Sequence, residues 1–97
     1  MMAVSREYID QLSRVKMAHE RELMRKANVV GVGIGLRERG GAYTDEPVIV
    51  VSVTRKVSRS MLDPDDVIPQ ELEGVPVDVQ AVGEPRALDE RGGEDDG

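Results

Sequence analysis

The most unusual local feature of this sequence is a glycine at every second position in the run Gly31-Val-Gly-Ile-Gly35. Glycine-rich segments bind phosphate when the pattern Gly-x-Gly-x-x-Gly joins a strand to a helix, because the helix N-terminus then meets the pyrophosphate. Here Leu36 stands where the third glycine belongs, and a charged loop and another strand are predicted to follow. The glycines are therefore interpreted first as structural. Binding of a nucleotide or another small molecule by this strip is the alternative.

The other residues with chemical potential do not form a recognisable catalytic or metal-binding set. His19 is the sole histidine, cysteine is absent, and no serine stands in a nucleophile-elbow context. The aspartates of Asp63-Pro-Asp-Asp66 suggest a cation site, but the proline and the following apolar residues break the ligand spacing of a calcium loop. Helix capping explains these acids better, and a place at the core edge explains His19 better than general-base catalysis. We therefore expect no enzyme activity, no cofactor and no metal.

Composition and charge exclude several classes of partner. The chain has two tyrosines, no phenylalanine and no tryptophan, so it lacks the aromatic platforms on which single-stranded nucleic acid stacks. Its net charge of −6 also opposes phosphate binding, and we expect no nucleic-acid partner. No apolar run approaches the roughly 18 residues that span a bilayer, and the first residues hold no apolar segment typical of a signal peptide. We expect no membrane partner and a cytoplasmic location.

The sequence predicts one folded domain, residues 1–83, followed by a tail, residues 84–97. The tail holds six acidic residues and two arginines, a net charge of −4, together with three glycines and one proline. Such a segment buries too little apolar surface to offset the entropy lost on ordering, so we predict a disordered acidic tail. A domain of about 80 residues supports only a modest core, and without disulfides it depends on other means of stabilisation. We therefore expect a homo-oligomer or a protein partner.

Periodicity and capping signals define the elements that position these residues. Ser5 suits a helix N-cap, and apolar residues recur after it at the 3.6-residue period. The predicted elements are a helix over residues 5–27, strands over 29–37 and 47–56, short helical turns over 58–73, and a strand over 75–82. Pro76 indicates that the last strand lies at an edge. The predicted fold is α+β, with a long N-terminal helix packed on a three-stranded, mainly antiparallel sheet in the order α-β-β-(short α)-β, partly ferredoxin-like.

The glycine strip occupies one face of the predicted sheet, and small side chains of the second strand share that face. The candidate interaction face consists of Gly31, Gly33, Gly35, Val48, Val50 and Ser52. Two arrangements are open: the helix covers the opposite, branched face, or its backbone packs closely on the glycines. We favour the first, because the branched face supplies the bulk that a core needs. The function indicated is a non-catalytic module for protein interaction or self-association, through this face or an open strand edge.

A basic run follows the second strand at Arg55, Lys56 and Arg59. We interpret it first as a solvated strand end. Contact with an acidic partner, or with the chain's own acidic tail, is the alternative.

Residues 28–83 resemble a small bacterial domain. The likeness lies in four segments: Asn28-Val-Val-Gly-Val-Gly-Ile-Gly, Val48-Ile-Val-Val-Ser-Val-Thr-Arg-Lys-Val, Leu62-x-Pro-x-Asp-x-Ile-Pro and Glu73-Gly-Val-Pro-Val-Asp-Val. This region is similar to one found ahead of trypsin-like serine peptidase domains in uncharacterised bacterial proteins. The resemblance implies an accessory or regulatory domain linked to a peptidase, and it carries no catalytic residue onto this chain.

Overall fold

A computed structural model describes residues 5–82 of the chain. Its elements are α1 (Arg6–Met24), β1 (Val29–Arg39), β2 (Ala42–Val53), 3-10 turns at Arg59–Met61 and Pro64–Asp66, β3 (Glu71–Leu72) and β4 (Val75–Ala81). The predicted α+β class, with one long helix packed on a sheet, is confirmed. The predicted tail, residues 84–97, lies outside the described residues.

Helix α1 begins where the sequence predicts and ends three residues early. Ser5 is the N-cap, and its hydroxyl accepts a hydrogen bond from the N–H of Tyr8 at 3.1 Å, which satisfies a donor left free at the helix start. Beyond the helix, Asn28 adopts a φ of 69°, a left-handed conformation that asparagine tolerates. The carboxylate of Asp66 accepts from the N–H of Ala27 at 3.0 Å. This aspartate therefore stabilises the end of α1 rather than a helix of its own.

The sheet has the order β1-β2-β4-β3 and is mixed, with two antiparallel pairings and one parallel pairing. β1 and β2 form an antiparallel hairpin, whereas β4 runs parallel to β2, which requires a crossover between them. The predicted three strands become four, because Leu72 in β3 pairs with Val75 in β4 around a two-residue turn. Glu73 and Gly74 in that turn have φ values of 48° and 84°, as a type I′ hairpin requires.

The β1–β2 hairpin is longer than predicted. Arg39 pairs with Ala42 around Gly40 and Gly41, whose φ values of 57° and 84° are both positive. Most of the predicted polar loop over residues 38–46 is therefore strand. Polar side chains do not oppose this outcome, because an antiparallel hairpin can expose them to water.

A β-bulge at Val30 changes which side chains of β1 face the core. Val29 pairs with Val53 and Gly31 pairs with Ser52, so β1 carries one extra residue between these two pairs. Val29 packs against the core cluster, whereas Val30 is 39% exposed. Strict alternation predicts the reverse placement for both valines, and the bulge is the physical reason for the difference.

The core lies between α1 and the branched face of the sheet. Its buried residues are Leu12, Val15, Leu23, Ile49, Val51, Val53, Val75 and Val77. Ile34 pairs with Ile49 on this face, and Gly33 pairs with Val50 on the opposite face. The favoured arrangement, with the helix on the branched face and the glycines turned away from it, is confirmed. Within residues 5–82, no helix is long and apolar enough to cross a bilayer.

The side chain of Tyr8 connects the start of α1 to β2 by a hydrogen bond. The hydroxyl of Tyr8 donates a hydrogen bond to the carbonyl oxygen of Pro47 at 2.9 Å. Burial and the negative charge of Glu46 raise the pKa of Tyr8 above its ordinary value, against the opposing effect of Arg37. The folded state therefore favours the neutral phenol. The stability that this group contributes is present at neutral pH and is lost as the pH rises through the raised pKa.

Candidate functional site

The six residues of the predicted interaction face lie together on one side of β1 and β2. The opposed pairs are Gly31 with Ser52, Gly33 with Val50, and Gly35 with Val48. A shallow depression of about 420 Å³ lies over all of them except Val48, and it is also lined by Tyr43 and Gln80. We call this surface the glycine face.

The glycine face is concave, because β1 and β4 approach each other across it. The Nε2 of Gln80 in β4 donates to the carbonyl oxygen of Leu36 in β1 at 2.8 Å, although β2 lies between the two strands. The N–H of Glu38 donates to Oδ2 of Asp78 at 2.8 Å. A flat sheet holds such strands about 10 Å apart, farther than these side chains reach. The sheet is therefore curled, and we call these contacts the β1–β4 bridge.

The bridge removes part of the predicted surface from solvent. Val48 is fully buried, with 0% exposure, so its side chain is not available to a partner. Gln80 is 7% exposed, and the Asp78 side chain is 16% exposed. Alternation along β4 places both side chains opposite the core, on the face that a sheet often exposes to water. Both are largely withdrawn from water because Oδ2 of Asp78 and Nε2 of Gln80 bind β1 backbone groups.

Two glycines of the strip differ in what they allow. A Cβ at Gly35 would lie 3.1 Å from Cγ2 of Val50, whereas a Cβ at Gly33 would meet nothing within 4 Å. Gly35 therefore permits the close packing of the curled sheet. Gly33 leaves an open position on the glycine face that no internal contact requires.

A second groove, larger than the depression on the glycine face, lies along the edge of β4 that faces away from β2. Its volume is about 490 Å³. The residues that line it include Arg55, Lys56, Val57, Arg59, Ile68, Pro69 and Val79. The sequence did not predict this groove, because the crossover between β2 and β4 forms one of its walls and only tertiary packing sets the path of that crossover. We call it the β4 groove.

The outer edge of β4 carries backbone groups that no strand pairs. Val77 donates its N–H to Gln70, and Val82 donates its N–H to Val53 of β2. Successive residues of a strand direct their N–H groups to opposite sides, so the N–H and C=O of Val79 and Ala81 point away from β2. Within residues 5–82, the pairing of β3 with β4 stops at Pro76. The edge beyond it opens into the β4 groove.

The rim of the β4 groove is electropositive. Arg55, Lys56 and Arg59 are exposed, and none of them forms an ion pair within the part of the chain that the structure describes. The acidic residues that line the groove already have partners, since Asp66 accepts from a backbone N–H after α1 and Asp78 belongs to the bridge. The basic run therefore faces the groove with its charge uncompensated by described residues.

The family of the chain follows from a match to a family model that covers the helix and all four strands. The profile described as NARROW LEAF 1 N-terminal domain matches residues 7–82, from the first turn of α1 to the end of β4. The chain belongs to the NARROW LEAF 1 N-terminal domain family. No curated protein matches it. The match identifies the small domain and contains no link to a peptidase.

In this NARROW LEAF 1 N-terminal domain, His19 connects α1 to the β3–β4 turn. Its Nε2 lies 2.8 Å from Oε2 of Glu73, and its Nδ1 lies 3.8 Å from Oε1 of Glu22. Its side chain is 25% exposed, which agrees with the predicted place at the core edge. Among residues 5–82, no serine or threonine hydroxyl is hydrogen-bonded to His19, and no cluster of three potential metal ligands occurs. The glycine face and the β4 groove are two candidate binding surfaces among the described residues.

Proposed function

We propose that this domain is a non-catalytic protein-interaction module that takes an extended segment of another chain along the outer edge of β4. One observation carries the proposal: within residues 5–82, Val79 and Ala81 direct unpaired N–H and C=O groups away from β2, and Val79 lines a groove of about 490 Å³. Extended segments add to such edges through main-chain hydrogen bonds, and neighbouring pockets select their side chains. Apolar side chains of Val57, Ile68 and Pro69 line the groove and provide such contacts.

The contrast between the edge of β1 and the part of the β4 edge that β3 leaves unpaired supports this choice. Proteins usually protect an edge strand, because its free backbone groups template pairing with other chains. On β1, side chains of the bridge bind free backbone groups of Leu36 and Glu38. No such side chain binds Val79 or Ala81 within residues 5–82. The β4 edge is therefore the better candidate for strand addition.

Ala81→Pro tests strand addition directly. The N–H of Ala81 points away from the β2 ladder, so proline removes an edge donor and preserves the ladder. We expect the free energy of unfolding to change by less than about 1 kcal/mol. Binding of an added strand should weaken by about tenfold, because a main-chain hydrogen bond is lost and the proline ring obstructs pairing.

Peptides selected from a random library against the wild-type domain provide the measurement. In an NMR titration, these peptides should shift the amide signals of Val79 and Ala81. They should bind Ala81→Ser, which keeps the N–H, as tightly as wild type. A selection that yields no such peptide, or peptides that bind Ala81→Pro equally well, contradicts the proposal.

Self-association through the glycine face is a second form of the same function. It is supported by the open position at Gly33 and by the shallow depression over the glycine strip. Val48 takes no part, because it is buried. The surface proposed for this contact consists of Gly31, Gly33, Gly35, Val50 and Ser52.

Gly33→Arg is expected to abolish self-association through that face and to preserve the fold. A side chain at position 33 meets no atom within 4 Å, and replacing a strand glycine whose backbone suits other residues stabilises a protein by roughly 0.5 kcal/mol. The solution mass, measured by light scattering, should fall from that of an oligomer to that of a monomer. Ala18→Arg, on the exposed surface of α1, adds the same charge and should keep the wild-type mass. A monomeric wild type, or an oligomeric Gly33→Arg variant, rules out this contact.

An accessory or regulatory role toward a peptidase is a finer form of the proposal. Only the sequence resemblance of residues 28–83 supports it. Its test is co-purification with a peptidase encoded beside this gene. The absence of both a neighbouring peptidase and a bound protease would count against the role.

Binding of a nucleotide or another small molecule at the glycine strip is the alternative. The depression over the strip supports it, but the strip lies inside β1, which continues into β2 rather than into a helix. Phosphate recognition of the dinucleotide type depends on that helix. A ligand that binds the native state raises the midpoint of thermal unfolding, so a panel of nucleotides that leaves the midpoint unchanged argues against this function.

A further inference from the structure

We propose that the acidic segment of this same chain, residues 84–97, binds in the β4 groove and competes there with strands from other chains. The inference rests on the proposed function of the groove. It specifies that the groove selects negatively charged segments and that residues 84–97 regulate access to it.

Charge complementarity is the first support. The rim carries the three cations Arg55, Lys56 and Arg59, which are unpaired among residues 5–82. Residues 84–97 hold six acids and two arginines, a net charge of −4. The groove's own acids, Asp66 and Asp78, accept hydrogen bonds from backbone N–H groups and do not neutralise the rim.

Proximity is the second support. Val82 donates its N–H to the carbonyl oxygen of Val53 at 2.8 Å, and Arg55 and Lys56 follow Val53 by two and three residues. Val82, the last described residue before the acidic segment, therefore lies close in the chain pairing to the basic rim. A tether this short gives an effective concentration on the order of millimolar. Individually weak surface ion pairs are then sufficient to populate the contact.

The experiment compares four full-length proteins by NMR amide hydrogen exchange at Val79 and Ala81. They are the wild type, a tail variant, a rim variant and a control. The tail variant has six acids changed to the matching amides, at Glu84, Asp89, Glu90, Glu94, Asp95 and Asp96. The rim variant carries Arg55→Gln, Lys56→Gln and Arg59→Gln, and the control carries Arg6→Gln, Arg14→Gln and Arg21→Gln. The control removes the same charge as the rim variant from exposed positions of α1. The amide of Ile49, in the buried strand, is the internal reference.

The tail and rim variants should exchange Val79 and Ala81 at least about threefold faster than wild type, since the occupant that protects these amides is lost. The control and the Ile49 amide should be unchanged. Salt at about 0.5 M should bring wild type to the rate of the tail variant, because it screens surface charges. Selected peptides should also bind the tail variant about threefold more tightly than wild type, since their competitor is gone.

Equal exchange in wild type and the tail variant overturns the inference, as does a control that changes as much as the rim variant. These failures differ from failure of the proposed function. If selected peptides still shift Val79 and Ala81 while the tail variant behaves as wild type, the groove binds strands and the acidic segment does not occupy it. If no peptide binds any of the four proteins, the function of the groove itself is wrong.

Discussion

Asp78→Ala is expected to lower the free energy of unfolding by about 2–3 kcal/mol, a large effect for a polar residue on the face of the sheet opposite the core. Oδ2 of Asp78 accepts hydrogen bonds from the N–H of Glu38 at 2.8 Å and from Nε2 of Gln80 at 3.0 Å. Its other oxygen lies 4.0 Å from the guanidinium of Arg37. Alanine removes the acceptor and leaves a part-buried backbone donor without a partner, and this unmet donor is the main cost.

Urea denaturation measures this loss, and two further variants locate its cause. Asp78→Asn keeps an acceptor oxygen and should cost about half as much, because only the charge assistance is lost. Asp45→Ala, at an exposed position of the same hairpin, should stay within about 0.5 kcal/mol of wild type. An Asp78→Ala protein as stable as wild type would show that the β1–β4 bridge does not hold the sheet in its curled form.

Leu12→Ala is expected to cost about 3–5 kcal/mol, the range for truncating a fully buried leucine. Leu12 has 0% exposure and packs in the cluster between α1 and the sheet. A domain of this size has a total stability of roughly 4–12 kcal/mol, so much of the protein should unfold at 37 °C. Circular dichroism during heating measures the change. Met17→Ala, on the same helix at 72% exposure, should stay within about 0.5 kcal/mol of wild type; a similar loss in both variants would contradict the assigned helix face.

The fold class was predictable because its signals are local. The N-cap at Ser5, the 3.6-residue period of α1 and the alternation in β1 each depend on neighbours along the chain. The bulge at Val30 and the parallel pairing of β4 with β2 depend on contacts between residues that are distant in sequence. No local sequence signal predicts either feature. The edge position that Pro76 indicated for the last strand was wrong, because β4 lies between β2 and β3 and Pro76 itself pairs with Glu71. Within the described residues, only the part of β4 beyond Pro76 has an unpaired outer edge.

The candidate site was predictable in part for the same reason. Alternation places Gly33 beside Val50 on one face, and the register confirms that placement. Alternation also makes Asp78 and Gln80 look like an ordinary solvated face, because a polar side chain bound to a distant backbone group has the same sequence pattern as one in water. The burial of Val48 follows from that contact and could not be predicted. The β4 groove could not be predicted, because residues far apart in the chain form its walls.

The β1–β4 bridge also bears on the order in which the molecule assembles. Its hydrogen bonds join residues 40 and 44 positions apart, whereas α1 and the tip of the β1–β2 hairpin involve near neighbours in the chain. Closing a long loop costs entropy before any distant contact repays it. The bridge therefore forms after the local elements, and its few polar contacts make it a natural site of sub-global opening. We expect opening of the bridge to expose Val48, which is fully buried beneath it, while α1 stays packed on the branched face.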